Sequence, residues 1–126
     1  MKRKQSILNS IVIVGVILSI LVTLGGTIFL NLNVHKYVIT VTDKERIVEY
    51  NNSTSSKYLV FGDNIKGESM VFENTDTLFH LKYNSSNIQG QLKIGRTYEV
   101  TVVGVRIPFL SMYENILDVT EIDQTN

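Results

Sequence analysis

Polar and apolar positions change rhythm once along this chain, near residue 34. From Ile11 to Leu30 the run "IVIVGVILSILVTLGGTIFL" has no polar face, and fourteen of its twenty residues are Ile, Val, Leu or Phe. A helix rises about 1.5 Å per residue, so this length matches the roughly 30 Å hydrocarbon core of a bilayer. The run predicts a transmembrane helix over 7–32. A helix apolar on every side would need a large soluble core around it, and the rest of the chain is too short to supply one.

Beyond residue 34 the period drops to two. "HKYVITVTD" alternates Tyr37, Ile39 and Val41 with Val38, Thr40 and Thr42, which suits a strand. "RIVEY", "KYLVF" and "ESMVFE" follow as short runs of the same kind. "NNSTSSK", Asn51 to Lys57, predicts an exposed loop, and "GDNIKG" predicts a hairpin connection. In "TLFHLKY", Leu78, His80 and Lys82 oppose Thr77, Phe79 and Leu81, as in a short strand. "NSSNIQGQLKIG" predicts one or two helical turns with Ser85 or Ser86 as N-cap and Gly95 at the end. Strands from Thr97 and over "NILDVTEI" complete the pattern. Three or four strands, a short helix and two more strands make an OB-like barrel the nearest architecture. The expected fold is therefore an N-terminal transmembrane helix followed by a small, mostly-β domain with one short helix.

The stretch "TYEVTVVGVRIPFLSMYENI" sets a separate problem, because a valine-rich strand runs into an arginine and then an apolar loop. Val102 to Val105 is too short for a second membrane span, which needs about 17 to 25 residues, and Arg106 stops it. Gly104 stands where a bulge would change the register, and Pro108, lacking an N–H, ends strand pairing. Phe109, Leu110, Met112 and Tyr113 are expected to cap the barrel core. The alternative is an interaction surface formed by Arg106, Phe109, Leu110 and Tyr113.

With 126 residues the chain has room for one small domain and an accessory segment. Lys2, Arg3 and Lys4 precede the apolar run, and the next charged side chain is Lys36. By the positive-inside rule residues 1–6 are cytoplasmic and residues 35–126 form an extracytoplasmic domain, in a single-pass protein of the cell membrane. A signal peptide cleaved after Gly25 is the competing reading, although the apolar run continues past the usual h-region. The chain has no Cys, which rules out a disulfide and a lipidated cysteine. From Lys36 onward nine basic and twelve acidic side chains leave a net charge of −3, so no nucleic-acid partner is expected. Gly15, Ser19, Thr23 and Thr27 recur every four residues along one helix face, a spacing that lets two copies approach closely.

The blocks "VTDKERIV", "SKYLVF", "VFENTD" and "LKYNSSNIQGQLKIGRTYEVTVVGVRIPFLSMYENI" resemble a group of small single-pass membrane proteins of phages, prophages and low-GC Gram-positive bacteria. The resemblance covers most of the chain outside the span, and its last block is the most specific. It implies an envelope protein, phage-encoded or chromosomal, and carries over no functional residue.

Candidate chemistry is sparse. His35 adjoins the membrane boundary, and His80 follows Asp76 by four residues. A metal site needs three or four ligands and a hydrolytic triad needs a nucleophile beside its base. Neither constellation is recognisable, and no cofactor is expected. Asp43, Glu45 and Glu49 interleave with Lys44 and Arg46 as on a solvated strand face, and "ENTD", Glu73 to Asp76, reads as a turn. N-x-Ser/Thr sequons occur at Asn51, Asn52 and Asn84. The expected function is a membrane-anchored interaction module whose partner is an envelope protein or a second copy. The alternatives are an envelope enzyme acting on cell-wall material and a cleaved, secreted binding protein.

Overall fold

The computed structural model describes residues 1–50 and 54–122, with positions 49 and 54–56 in backbone only. The chain divides into two compact units, Met1–Leu30 and Asn31–Asn126.

The first unit is the body of helix α1, Lys2–Leu32, which is long and apolar enough to cross a membrane. None of its residues is buried. Three of its hydroxyls are satisfied within the helix: Ser10, Thr23 and Thr27 donate to the carbonyls of Ser6, Ser19 and Thr23, each at 2.9 Å. Such back-bonding lets polar side chains sit in a lipid-facing helix without an unpaired donor.

The second unit is a closed five-stranded barrel in the order β1-β2-β3-β5-β4. Its strands are β1 Val34–Tyr50, β2 Thr54–Asn64, β3 Ser69–Asn74, β4 Thr97–Val103 and β5 Asn115–Glu121, with helix α2, Ser85–Gln91, between β3 and β4. This is the OB-like arrangement that the element order predicts. The runs "HKYVITVTD" and "RIVEY" fuse into the single strand β1. Its first half pairs with β4, from Val34↔Val103 to Thr40↔Thr97, and its second half pairs with β2. A register shift between Val41 and Asp43 bends the strand, and that bend lets one strand serve both neighbours.

Alternation along the strands sends Ile39 and Val41, Val60, Phe72, Tyr98, Val100 and Val102, and Ile116 and Val119 into one core. Ile88 and Leu92, four residues apart across the end of α2, complete it. Each such side chain contributes about 1.5–3 kcal/mol by leaving water. Tyr98 is fully buried with its hydroxyl satisfied, accepting from the Lys93 amide at 2.8 Å and donating to the Gln91 carbonyl at 3.2 Å.

Four local expectations need correction. Residues 54–57 belong to β2, so only Asn51, Asn52 and Ser53 remain of the expected loop, and they lie outside the described residues along with the first two sequons. The segment at 77–82 is a turn closed by a Thr77↔Lys82 bridge, because Leu81 takes a positive φ of 51° that no strand accepts. The N-cap of α2 is Asn84, the exposed third sequon, and its side chain makes no cap bond. The β4–β5 register shifts where the partners step from Thr101↔Asp118 to Val102↔Ile116, which leaves Leu117 of β5 as the extra residue; Val102 keeps the inward alternation of β4, and Gly104, at φ +106°, turns the chain out of the sheet after the strand has ended.

Candidate functional site

The chain leaves β4 at Gly104 and returns as β5 at Asn115, and the first bonds of this excursion hold it to the start of β1. The Gly104 amide donates to the Asn33 carbonyl at 3.0 Å, and the Asn33 side chain donates back to the Gly104 carbonyl at 2.8 Å. Further out, Ile107 and Met112 exchange backbone hydrogen bonds at 3.0 and 3.1 Å around a 3-10 turn, Pro108–Leu110. Pro108 occupies the first helical position, where a missing N–H costs nothing. Ser111 closes the turn at φ 51°.

A groove of about 260 Å³ lies between this loop and β3, lined by Ser69, Met70, Val71, Phe72, Arg106 and Glu114. The Arg106 guanidinium stands 4.1 Å from the centre of the Tyr113 ring and donates to the Met112 carbonyl at 2.8 Å, two contacts that fix its position. Glu114 is 9% exposed and accepts from the Tyr37 hydroxyl at 3.4 Å through each oxygen. Burial pushes the Glu114 carboxyl above the usual range, against the pull of His35 and of the Tyr37 hydroxyl. Burial, with the neighbouring Glu114, likewise raises Tyr37. The Tyr37 ring packs on Phe72 with centroids 5.7 Å apart. The groove thus joins a fixed cation and a half-desolvated carboxyl with apolar surface, which suits a neutral, hydroxyl-rich ligand.

Of the residues singled out in the sequence, Arg106 and Tyr113 come together here. Phe109 and Leu110 do not line the groove. They stand on the 3-10 turn, 86% and 56% exposed, so the expected core cap is overturned at both. Ile88 of α2 and Leu92 just past its end fill the core instead, and the Ile107–Met112 bridge makes the turn a hairpin of its own. Gly15, Ser19, Thr23 and Thr27 lie along α1, the hydroxyls of the two threonines bonded to their own helix. His80 donates through Nε2 to the carbonyl of Asn31 at 2.7 Å, in the last turn of α1, where helix carbonyls lack a partner within the helix. Asp76 accepts from the Ser85 amide, a bond that holds its carboxyl below the usual range. Among the described residues no three His, Cys, Asp or Glu side chains gather as a metal site would require.

Sequence reasoning missed Met70, Phe72 and Glu114 as groove residues, and Tyr37 as the side chain that contacts Phe72 and Glu114. The only available signal was that Glu114 is the sole acid in an otherwise apolar and basic loop. It also missed a buried polar cluster. Lys82, 5% exposed, donates to the Asn74 side-chain oxygen at 2.7 Å and to the Ile116 carbonyl, while Asn74, fully buried, donates to the Ser85 carbonyl at 2.8 Å and to Gln89 at 3.0 Å. Burial lowers Lys82 to about 8, against the pull of Asp76 and Glu73.

No curated protein and no solved structure matches the chain. A family model, described as the CBM58 domain of the alpha-amylase SusG, matches residues 29–102. The matched segment runs from the end of α1 into β4 and takes in Tyr37 and the β3 wall of the groove, with Arg106, Tyr113 and Glu114 following it in the chain. As 74 of the 126 residues are matched, the chain belongs to the CBM58 family.

Proposed function

We propose that this protein is a membrane-anchored carbohydrate-binding module that holds a glycan of the cell envelope in the groove between β3 and the 104–114 loop. Membership of a family of carbohydrate-binding modules, which do no catalysis themselves, carries the reading. The position of the groove supports it, because OB folds take oligosaccharides on the face of strands 2 and 3 beside the β4–β5 loop. The chemistry agrees. Sugar hydroxyls find a fixed guanidinium at Arg106 and a carboxyl at Glu114, and their C–H faces find Met70 and Val71.

The setting belongs to the same proposal. The basic "KRK" keeps the N-terminus in the cytoplasm, α1 spans the membrane, and the barrel stands outside where envelope glycans are found. The resemblance to small single-pass proteins of phages and Gram-positive bacteria fits a cell-wall ligand and a phage-encoded origin. The small-residue face of α1 offers a second copy as a further partner, which would give two grooves per assembly.

Intact protein in nanodiscs should be titrated calorimetrically with maltooligosaccharides, peptidoglycan fragments and teichoic-acid glycans. Binding of at least one class, lost in Arg106→Ala and Glu114→Gln while the melting curve is kept, is the expected result. Binding that survives both substitutions would move the site elsewhere, and silence across the panel would remove the carbohydrate reading.

A further inference from the structure

Two separate loops of the barrel domain share one construction. At 77–82, Thr77 and Lys82 exchange backbone hydrogen bonds at 3.0 and 2.9 Å around four residues, the last of them Leu81 at φ 51°. At 107–112, Ile107 and Met112 do the same around Pro108 to Ser111, and Ser111 also sits at φ 51°. Each hairpin spends its polar backbone on itself and presents apolar side chains at its tip. Leu78, Phe79 and Leu81 are 77%, 52% and 75% exposed, and Phe109 and Leu110 are 86% and 56% exposed. Exposed apolar residues scattered singly need no explanation, but five grouped on two tips do.

The first hairpin and the loop that carries the second are also tied to the same three residues. His80, within the first tip, donates to the Asn31 carbonyl at 2.7 Å. Gly104, which opens the second loop, exchanges hydrogen bonds with Asn33. Asn31 directly follows Leu30, the last residue of the apolar run, so with α1 across a bilayer residues 31–33 stand at its edge. Consecutive Cα atoms are about 3.8 Å apart, which leaves no slack between that point and either tether.

We propose that the tips at 78–81 and 109–110 insert into the headgroup and upper acyl layer of the same membrane that α1 crosses, so that the domain rests on the lipid surface at three points. The inference rests on α1 as a membrane span and is independent of the glycan groove.

The chain contains no Trp, so single substitutions give lone fluorophores in the intact protein. Phe79→Trp and Phe109→Trp report the two tips. Ile94→Trp is the control: it is 60% exposed, and its neighbour Gly95 donates to Val41, seven residues along β1 from Val34 and so roughly 24 Å away at 3.4 Å per residue. Each variant is reconstituted in phosphatidylcholine and phosphatidylglycerol vesicles, with or without lipids brominated near the top of the acyl chain, and reconstitution is checked by flotation. The expected result is a blue-shifted emission at 79 and 109 that loses most of its intensity to brominated lipid, with position 94 unaffected. Emission at 79 and 109 that responds no more than at 94 would overturn the proposal. So would a blue shift without bromine quenching, which would mean that protein covers the tips. Failure to float with the vesicles would overturn the membrane span itself, and with it the proposal.

Discussion

The Lys82 ammonium lies 2.7 Å from the side-chain oxygen of Asn74, and both side chains are sealed from solvent, at 5% and 0% exposure. The pair joins the segment before α2 to the end of β3, and through the Ile116 carbonyl to β5 as well. A buried lysine costs free energy to keep charged, so it contributes mainly by leaving none of these oxygens unpaired.

Lys82→Met should therefore destabilise the barrel by about 1–3 kcal/mol at neutral pH, the cost of orphaning buried acceptors. The pH dependence is more diagnostic. Between about 8, the folded value, and 10.5, the ordinary one, the unfolded chain still binds the Lys82 proton and the folded chain does not. Native stability then rises with pH across that window. Urea denaturation at several pH values should show the gap between wild type and Lys82→Met widening from pH 8 to 10.5; a constant gap would argue against the burial.

Phe109→Ala should change stability by no more than about 0.5 kcal/mol, as substitutions of exposed residues do. Phe72→Ala, at a position 1% exposed, should cost about 3–5 kcal/mol. Thermal melts of the two variants test the correction made to the capping role, and equal losses would restore the cap.

Glu114→Gln removes the raised carboxyl and keeps an acceptor for Tyr37. Above the ordinary value of 4.5, the unfolded chain loses the Glu114 proton while the folded one holds it, so stability falls as pH rises until the folded group also ionises. Denaturation curves should show this decline in the wild type and a flatter profile in the variant.

Gly62 lies in β2 where a Cβ would come within 3.0 Å of both the Ile39 Cδ1 and the Thr40 carbonyl oxygen. The second neighbour is backbone and cannot step aside. Gly62→Ala should cost about 1–3 kcal/mol through overpacking, read from the shift in melting temperature.

Most of the fold was legible because period and punctuation are local properties. The apolar run over 11–30 could hardly be anything but a long helix, and the alternation at Ile39 and Val41 or at Tyr98, Val100 and Val102 names the core face directly. "TLFHLKY" misled for a physical reason. Its alternation is real, yet Lys82 goes in and Leu78 and Leu81 go out, because the buried amine answers oxygens on Asn74 and Ile116 that are distant in sequence. The candidate site was half legible. Arg106 and Tyr113 drew attention by standing at a strand exit, whereas Tyr37, Met70 and Phe72 resemble any other strand residue until the barrel closes and brings β3 against the loop. Phe109 and Leu110 were noticed for their apolarity and given the wrong side of the surface, since composition alone cannot separate a plug from a protruding tip.

The barrel closes through a single parallel pair, Glu73↔Asn115, assisted by bonds from Thr75 to the Asn115 side chain in both directions and from the Glu73 amide to the Glu114 carbonyl. Every other junction is an antiparallel ladder of six or more pairs. Local opening should therefore begin at this juncture, and amide exchange should be fastest there within the sheet. The groove lies along the same line, between β3 and the residues that lead into β5. A ligand seated in it would act as a clasp, so the ligand-free protein would breathe along one edge and the occupied protein would be a stiffer object throughout.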